Sequence, residues 1–243
     1  NALLERANAI MVTSEDLGAQ LRNKRSNRLA GQRQQLIITI RNVFPASVPK
    51  AVKRHAFDTH SLRVLYAGTL GRAQNLRNAV DAAVIAQNQG TPVELVFVGG
   101  GAAVGELQTY AGLREVNASF YQVRSAAEIV GFYEWADTAL VHLTDWEPLD
   151  RAVPSKTYEL MSVGIHISGV VKGETARIIK LLEAGDTVSP ENPHELAELW
   201  TALYKNPSRL SIATKGGMWV ESQRETVVPG EVKKLVEWIE NLK

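Results

Sequence analysis

Pro154-Ser155-Lys156-Thr157, followed by Glu159, is the stretch whose residue types and spacing could do chemistry. Proline presets φ for the first residues of a helix, and a neighbouring serine can cap free amides. Those amides and the helix dipole together make a site for an anion such as phosphate. Lys156 would add a positive charge there. Glu159, one turn further on, could accept hydrogen bonds from paired hydroxyls such as a ribose diol. The same residues also fit a plain capped helix with an i, i+3 Lys–Glu pair on its surface. Both readings stand at this point.

Two glycine-rich stretches could also meet a ligand. In "AGTLGRAQNL", Gly68 and Gly71 let the backbone approach closely and Arg72 can bring a cation to a phosphate. A strand-to-helix turn with a surface arginine reads equally well. "VGGGAAVGE" invites a dinucleotide reading, but Val104 stands where the last glycine of G-x-G-x-x-G belongs. The P-loop pattern fails as well, because Glu106 follows Gly105. A tight turn that leaves space at a sheet edge fits better.

The elements that must position these loops alternate along the chain. Ala9–Ser14 and Leu36–Ile40 read as strands, the first followed by a polar helix. "FPASVPKAVKRHAFDTHS" then reads as a linker, with two prolines and no hydrophobic period. From Leu62 onward, six short apolar strands alternate with helices, which predicts βαβ units and a parallel sheet covered on both faces. "SAAEIVGFYEWAD" carries a capping-box pattern, serine followed three residues later by glutamate. The end of the chain reads as helices over Pro193–Tyr204, Pro207 to about Gln223, and Pro229–Leu242. In the last, Val232, Leu235, Val236, Ile239 and Leu242 form one apolar stripe. Open sheets of this kind bind ligands at the carboxyl ends of their strands. The loops to watch are therefore 68–75, 99–105, 122–125, 144–155 and 169–174.

Composition narrows the classes. The 243 residues contain no cysteine, which excludes a disulfide framework, a zinc–thiolate site and a cysteine nucleophile, and fits a reducing compartment. His55, His60, His142, His166 and His194 show no ligand spacing, so no metal site is expected. No apolar run is long enough to span a bilayer, and no signal peptide is expected from these residues. Charge is uneven: residues 1–62 carry ten Lys/Arg against four Asp/Glu, and the remainder 17 against 22. The basic excess peaks in "LRNKRSNRLAGQR", either a solvated helix face or a contact with an anionic membrane surface or substrate. Basic residues are not interleaved with aromatics, so a nucleic-acid partner is not expected. The opening Asn1-Ala2, without methionine, resembles what remains after tag cleavage and suggests a longer protein.

"YAGTLGRAQNL", "LVFVGGG", "FYEWADTALVHL", "VPSKTYELMSVGIHISGV" and "GETARIIKLLEAGDTVSPENPHELAELW" occur in the order seen in the family-4 (group 1) glycosyltransferases. The chain resembles these retaining enzymes of GT-B fold over nearly all of Leu62–Tyr204. The resemblance implies the carboxyl-terminal, Rossmann-like α/β half of such an enzyme. Residues 1–43 would be the remnant of the amino-terminal acceptor domain and its crossover, and 44–61 the linker. Residues 62–205 would be the nucleotide-sugar donor domain, and 206–243 helices returning towards the amino-terminal domain.

The resemblance also implies a donor site built from Gly68, Thr69, Gly71, Arg72, Val123, Pro154, Ser155, Lys156, Thr157 and Glu159. Lys156 and Arg72 would stabilise the leaving diphosphate, and Glu159 would bind the ribose. Thr69 stands where the family commonly has arginine, and Gln74 near its usual lysine. Arg151 stands where the first of two glutamates is usual, with Glu147 and Asp150 out of register, which reads as a trait of the subgroup carrying Pro-Ser-Lys. The implied activity is transfer of a sugar, most simply from a UDP-sugar, to a cell-envelope glycolipid or polysaccharide. It needs no cofactor or metal and would take place in the cytoplasm, at the inner face of the membrane. The implied partners are a nucleotide-sugar and a glycan or lipid-linked acceptor. A nucleotide-sugar epimerase of the same fold and a non-catalytic binding module are the alternatives.

Overall fold

The computed structural model describes residues 6–26, 35–43, 52, 55–57 and 60–242. The distal part of the basic stretch, residues 27–34, and most of the linker lie outside the described residues. The amino-terminal segment is a parallel pair, β1 (Ala9–Val12) and β2 (Leu36–Thr39), with α1 (Glu15–Ser26) between them.

Eleven elements of regular α and β structure then build the main layer. They are β3 (Leu62–Ala67), α2 (Arg77–Asn88), β4 (Val93–Val98), α3 (Val104–Leu113), β5 (Ala118–Tyr121), α4 (Ile129–Trp135), β6 (Thr138–His142), α5 (Ser155–Val163), β7 (His166–Val170), α6 (Gly173–Leu181) and β8 (Gly185–Val188). Every strand pair is parallel, and the order across the sheet is β5-β4-β3-β6-β7-β8. The winding therefore reverses between β3 and β6.

Period-two alternation places the two cores. Leu62, Val64 and Tyr66 of β3 point to one face with Val93, Leu95 and Phe97 of β4, under α2 and Trp200 of α7 (Pro193–Lys205). Leu65 and Ala67 point to the other face with Val96 and Val98, under α4, α5 and α6. Because both faces are covered, all six residues of β3 and all five of β6 and β7 are buried. The outermost strands β5 and β8 have only four residues each and stay part-exposed, as short edges should.

Polar contacts bind the amino-terminal segment to this layer, among them an Arg177–Asp16 ion pair at 2.5 Å. Arg41 donates to Tyr158 Oη at 3.2 Å and pairs with Glu174 at 2.6 Å, both nearly buried, and Glu174 also accepts from the Asp16 amide at 2.8 Å. Ser14 Oγ donates to the Arg151 carbonyl.

The carboxyl-terminal run differs from the sequence expectation. Pro207–Leu210 is a 3-10 turn, and α8 (Lys215–Ser222) passes through a π-turn, Gln223–Val227, directly into α9 (Val228–Glu240). A new helix was expected at Pro229. Proline lacks an N–H and crowds the carbonyl one turn back, and a widened turn absorbs both without ending the helix. Arg224 of the π-turn donates to the Val43 carbonyl at 2.9 Å, and Trp238 Nε1 to the Asn8 carbonyl at 3.2 Å. The apolar stripe of α9 splits: Leu235 is half-buried, while Val232, Val236, Ile239 and Leu242 are exposed.

Candidate functional site

The carboxyl edge of the sheet, where the winding reverses, is the place where a doubly wound sheet opens a crevice. The loops after β3 and β4 are pressed together there. Gly68 N donates to Val98 O and Leu70 N to Gly100 O, each at 2.9 Å. Gly99 has φ +150°, and a Cβ on it would lie 1.9 Å from the Gly68 carbonyl oxygen. Gly101 has the same φ and would meet the Leu70 carbonyl at 2.3 Å. Only glycine lets these two backbones touch, so the run "VGGG" is a tight loop contact, as its failed nucleotide patterns already indicated.

Between these loops and α5 lies a cleft of about 420 Å³. Gly68, Thr69, Gly99, Gly100, Val123, Ile129, Lys156 and Glu159 line it, together with Arg124–Ala126. Ser125 lies on its wall, and its amide and hydroxyl donate to Glu128 at 2.9 and 2.7 Å. The helix starts only at Ile129, with Glu128 as its N-cap and no side-chain cap, so the expected serine cap is not formed. Val123 projects from this wall, 75% exposed.

The start of α5 corrects one expectation. Pro154, at φ −58° and ψ 133°, is the N-cap, Ser155 is the first helical residue, and no side chain caps the helix. The extended ψ of Pro154 turns its carbonyl inward to take the Thr157 amide at 2.9 Å, so the Ser155 hydroxyl is one position too late to cap. No side-chain oxygen competes for the remaining amides of this helix start, although Pro154 and Ser155 do not themselves line the cleft. The helix closes on Gly164 in the left-handed region at φ +77°.

Two lining side chains, Lys156 and Glu159, meet the hydroxyl of Tyr133, a residue that does not itself line the cleft. Lys156 Nζ lies 2.5 Å from Glu159 Oε2 and 3.2 Å from Tyr133 Oη. Tyr133 Oη in turn donates to Glu159 Oε1 at 2.5 Å. Tyr133 is fully buried, whereas the side chains of Lys156 and Glu159 are 27% and 14% exposed. Burial, followed by the Glu159 charge, pushes the Tyr133 hydroxyl far above the ordinary tyrosine range, so it stays a donor. The expected Lys–Glu pair thus exists, but at the cleft rather than on a solvated face.

The other expected residues divide. Arg72 sits exposed on the 3-10 turn Arg72–Gln74 and does not line the cleft. Gly71 and Gln74 stabilise that turn, the Gly71 amide donating to Gln74 Oε1 at 3.1 Å. Pro154, Ser155 and Thr157 form the helix start without lining the cleft, and Thr157 is wholly buried. Arg151 grips Glu147 with two bonds of 2.5 and 3.0 Å, so this loop carries an internal ion pair where the family pattern has a glutamate.

Tyr133 is the partner of Lys156 and Glu159 that the sequence reading missed. Its i, i+4 spacing from Ile129 marks a core stripe of α4, which is correct for the ring and silent about the hydroxyl. His142 closes β6 just below the cleft loops, fully buried, with Asn78 Nδ2 3.0 Å from its Nε2. Burial lowers its pKa to about 4. Among the described residues no group of three or more His, Asp or Glu side chains could hold a metal ion, and no helix is long and apolar enough to cross a membrane.

Comparison with known proteins gives the family and the fold. Residues 47–217 match the family described as glycosyl transferases group 1. HepE from Anabaena, solved with UDP and glucose, superposes with a TM-score of 0.72 at 16% identity, over 99% of this chain and 65% of that one. Sucrose-phosphate synthase from Thermosynechococcus elongatus gives 0.69 at 17% identity, over 100% and 61%. The lipopolysaccharide outer core galactosyltransferase WaaB gives 0.69 at 16% identity, over 98% and 63%. The chain thus spans less than two thirds of the length of each of these proteins. No curated protein sequence matches it. With well over half of its residues matched, the chain belongs to the group 1 glycosyl transferases, and its six-stranded layer is the carboxyl-terminal Rossmann-like half of their GT-B fold.

Proposed function

We propose that this chain holds the donor site of a retaining glycosyltransferase that takes a sugar from UDP and passes it to a cell-envelope glycolipid or polysaccharide. The observation that carries the reading is the cleft at the winding reversal. It brings a lysine and a carboxylate to one wall, beside a helix start that no side chain caps. Glu159 accepts the ribose hydroxyls, and the first amides of α5 with Lys156 face the diphosphate. As the glycosidic bond breaks, charge builds on the leaving phosphate oxygens, and fixed amide dipoles and a lysine stabilise that charge without needing to reorganise. Arg72, on an exposed turn of the neighbouring loop, supplies a second cation from outside the cleft. Among the fold relatives, the UDP of HepE and the lipopolysaccharide named for WaaB favour this donor and this acceptor class. The exposed Lys24 on α1, within the basic stretch, suits contact with an anionic membrane face.

A binding module without transfer is the second reading, favoured by the Arg151–Glu147 pair at the position of the family's glutamate. A thermal-shift series with UDP-, GDP- and ADP-sugars tests the donor. Stabilisation by UDP-sugars alone is expected, and no response to any would sink the reading. Acceptor chemistry in a GT-B enzyme takes place between two domains, so this chain alone is expected to bind nucleotide without transferring sugar. Robust turnover by it would overturn the assignment of its layer as the donor half only.

A further inference from the structure

Glu159 is held in an unusual way for a carboxylate on a cleft wall. One oxygen is bonded to a flexible lysine on its own helix, the other to a buried aromatic hydroxyl from a different helix. The Tyr133 ring belongs to the hydrophobic core beneath the sheet edge, so its hydroxyl is fixed by packing rather than by solvent-exposed neighbours. A four-carbon lysine stem offers no such rigidity.

We propose that Tyr133 is a positioning residue of the nucleotide site: it locks the Glu159 carboxylate in the orientation that receives both ribose hydroxyls, leaving Lys156 able to bridge that carboxylate to the diphosphate. The assignment rests on the nucleotide reading of the cleft and adds a residue that itself touches no substrate. Hydrogen-bond capacities support it. Each carboxylate oxygen has room for about two donors. With Tyr133 on Oε1 and Lys156 on Oε2, one acceptor direction on each oxygen remains, matching the two O–H groups of a vicinal diol. The ammonium group has three N–H bonds. Glu159 and Tyr133 engage two of them, and the third is available to a phosphate oxygen. Burial keeps the tyrosine protonated, so it donates to Glu159 across the neutral and alkaline range.

Calorimetric titration of the chain with UDP and with 2′,3′-dideoxyuridine 5′-diphosphate tests this. The native chain should prefer UDP about tenfold or more, the size of a charge-assisted contact. Tyr133→Phe keeps the ring, and should weaken UDP about fivefold while leaving the dideoxy ligand within about twofold. In a Glu159→Ala background the same substitution should have no further effect on either ligand. Lys156→Met, at a part-exposed position, should weaken both ligands yet preserve the preference for the diol. Equal losses for both ligands in Tyr133→Phe would reduce the residue to core packing and overturn the proposal. So would an unchanged diol preference in Tyr133→Phe, or its disappearance in Lys156→Met. If the native chain binds neither ligand, the nucleotide reading falls and this one with it. If it binds UDP and only the tyrosine tests fail, the nucleotide reading stands alone.

Discussion

The two ends of the sheet use charged side chains in opposite ways. At the amino end, Asp137 accepts from the Arg63 amide at 2.8 Å, from its Nε at 3.0 Å and from its terminal nitrogen at 2.7 Å. Both side chains are nearly buried, and Arg63 also reaches the Ala56 carbonyl at 3.0 Å. Beside them His166 lies between Thr138 at 2.8 Å and Asp186 at 3.2 Å, and Asp186 also takes Arg209 at 3.0 Å. There the bonds turn inward and tie strands to one another. At the carboxyl end, Lys156 and Glu159 line a cleft, and each keeps bonding capacity beyond the contacts it makes with the other and with Tyr133. Charge whose bonding capacity is met inside the fold makes structure; charge left with spare capacity at an opening makes a site.

Breaking the amino-end pair should give the largest effect. Asp137→Ala strands a buried guanidinium and should cost about 3–5 kcal/mol of stability, read by urea or thermal unfolding. A loss below about 1 kcal/mol would erase the contrast between the two ends. Glu159→Ala should do the reverse, costing less stability than Asp137→Ala, about 1–2 kcal/mol for the Tyr133 hydroxyl left without its acceptor, while weakening UDP about tenfold or more, a charge-assisted contact of roughly 1.5–3 kcal/mol. If UDP binds this variant as it binds the native chain, the carboxyl end is structural too.

His142 sharpens the comparison, because it lies near the cleft but is buried. Its folded pKa of about 4 is below the ordinary histidine value. The unfolded chain therefore takes up the proton first, and stability is lost as pH falls from about 6.5 through about 4, by on the order of 2 kcal/mol at pH 5. His142→Asn should flatten that part of the melting-temperature profile relative to the native chain. An unchanged slope would show that the imidazole is not what titrates. The smallest effect expected is Lys156→Ala, which should weaken UDP several-fold while leaving uridine nearly unaffected, because only UDP carries phosphates. Equal weakening of both ligands in calorimetry would assign Lys156 to Glu159 alone.

Much of this was legible beforehand for a physical reason. Strands buried on both faces must read as short apolar runs, so β3, β4, β6 and β7 announced themselves, and their alternation with helices required a parallel sheet. The Lys156–Glu159 spacing marked one wall of the cleft because i, i+3 residues share a helix face whatever surrounds them. Capping at Pro154 was less legible, since the backbone angle of the proline, and not the residue type beside it, decides which residue caps. The π-turn before Pro229 was not legible either, because a proline signals a helix start and a tolerated interruption with the same letter.

The sequence by itself determined the secondary structure of the sheet layer, the absence of thiol chemistry, and the helix face on which Lys156 and Glu159 stand. These depend on local periodicity and residue type, which need no knowledge of distant neighbours. Tertiary structure alone decided that the Tyr133 hydroxyl, 26 residues before Glu159, ends 2.5 Å from its carboxylate. It also decided that Arg72 stays outside the cleft while Thr69 lines it. Such pairings follow from how α4 and α5 pack into the same core beneath the sheet, which is set by the packing of whole elements rather than by any stretch of residues within them.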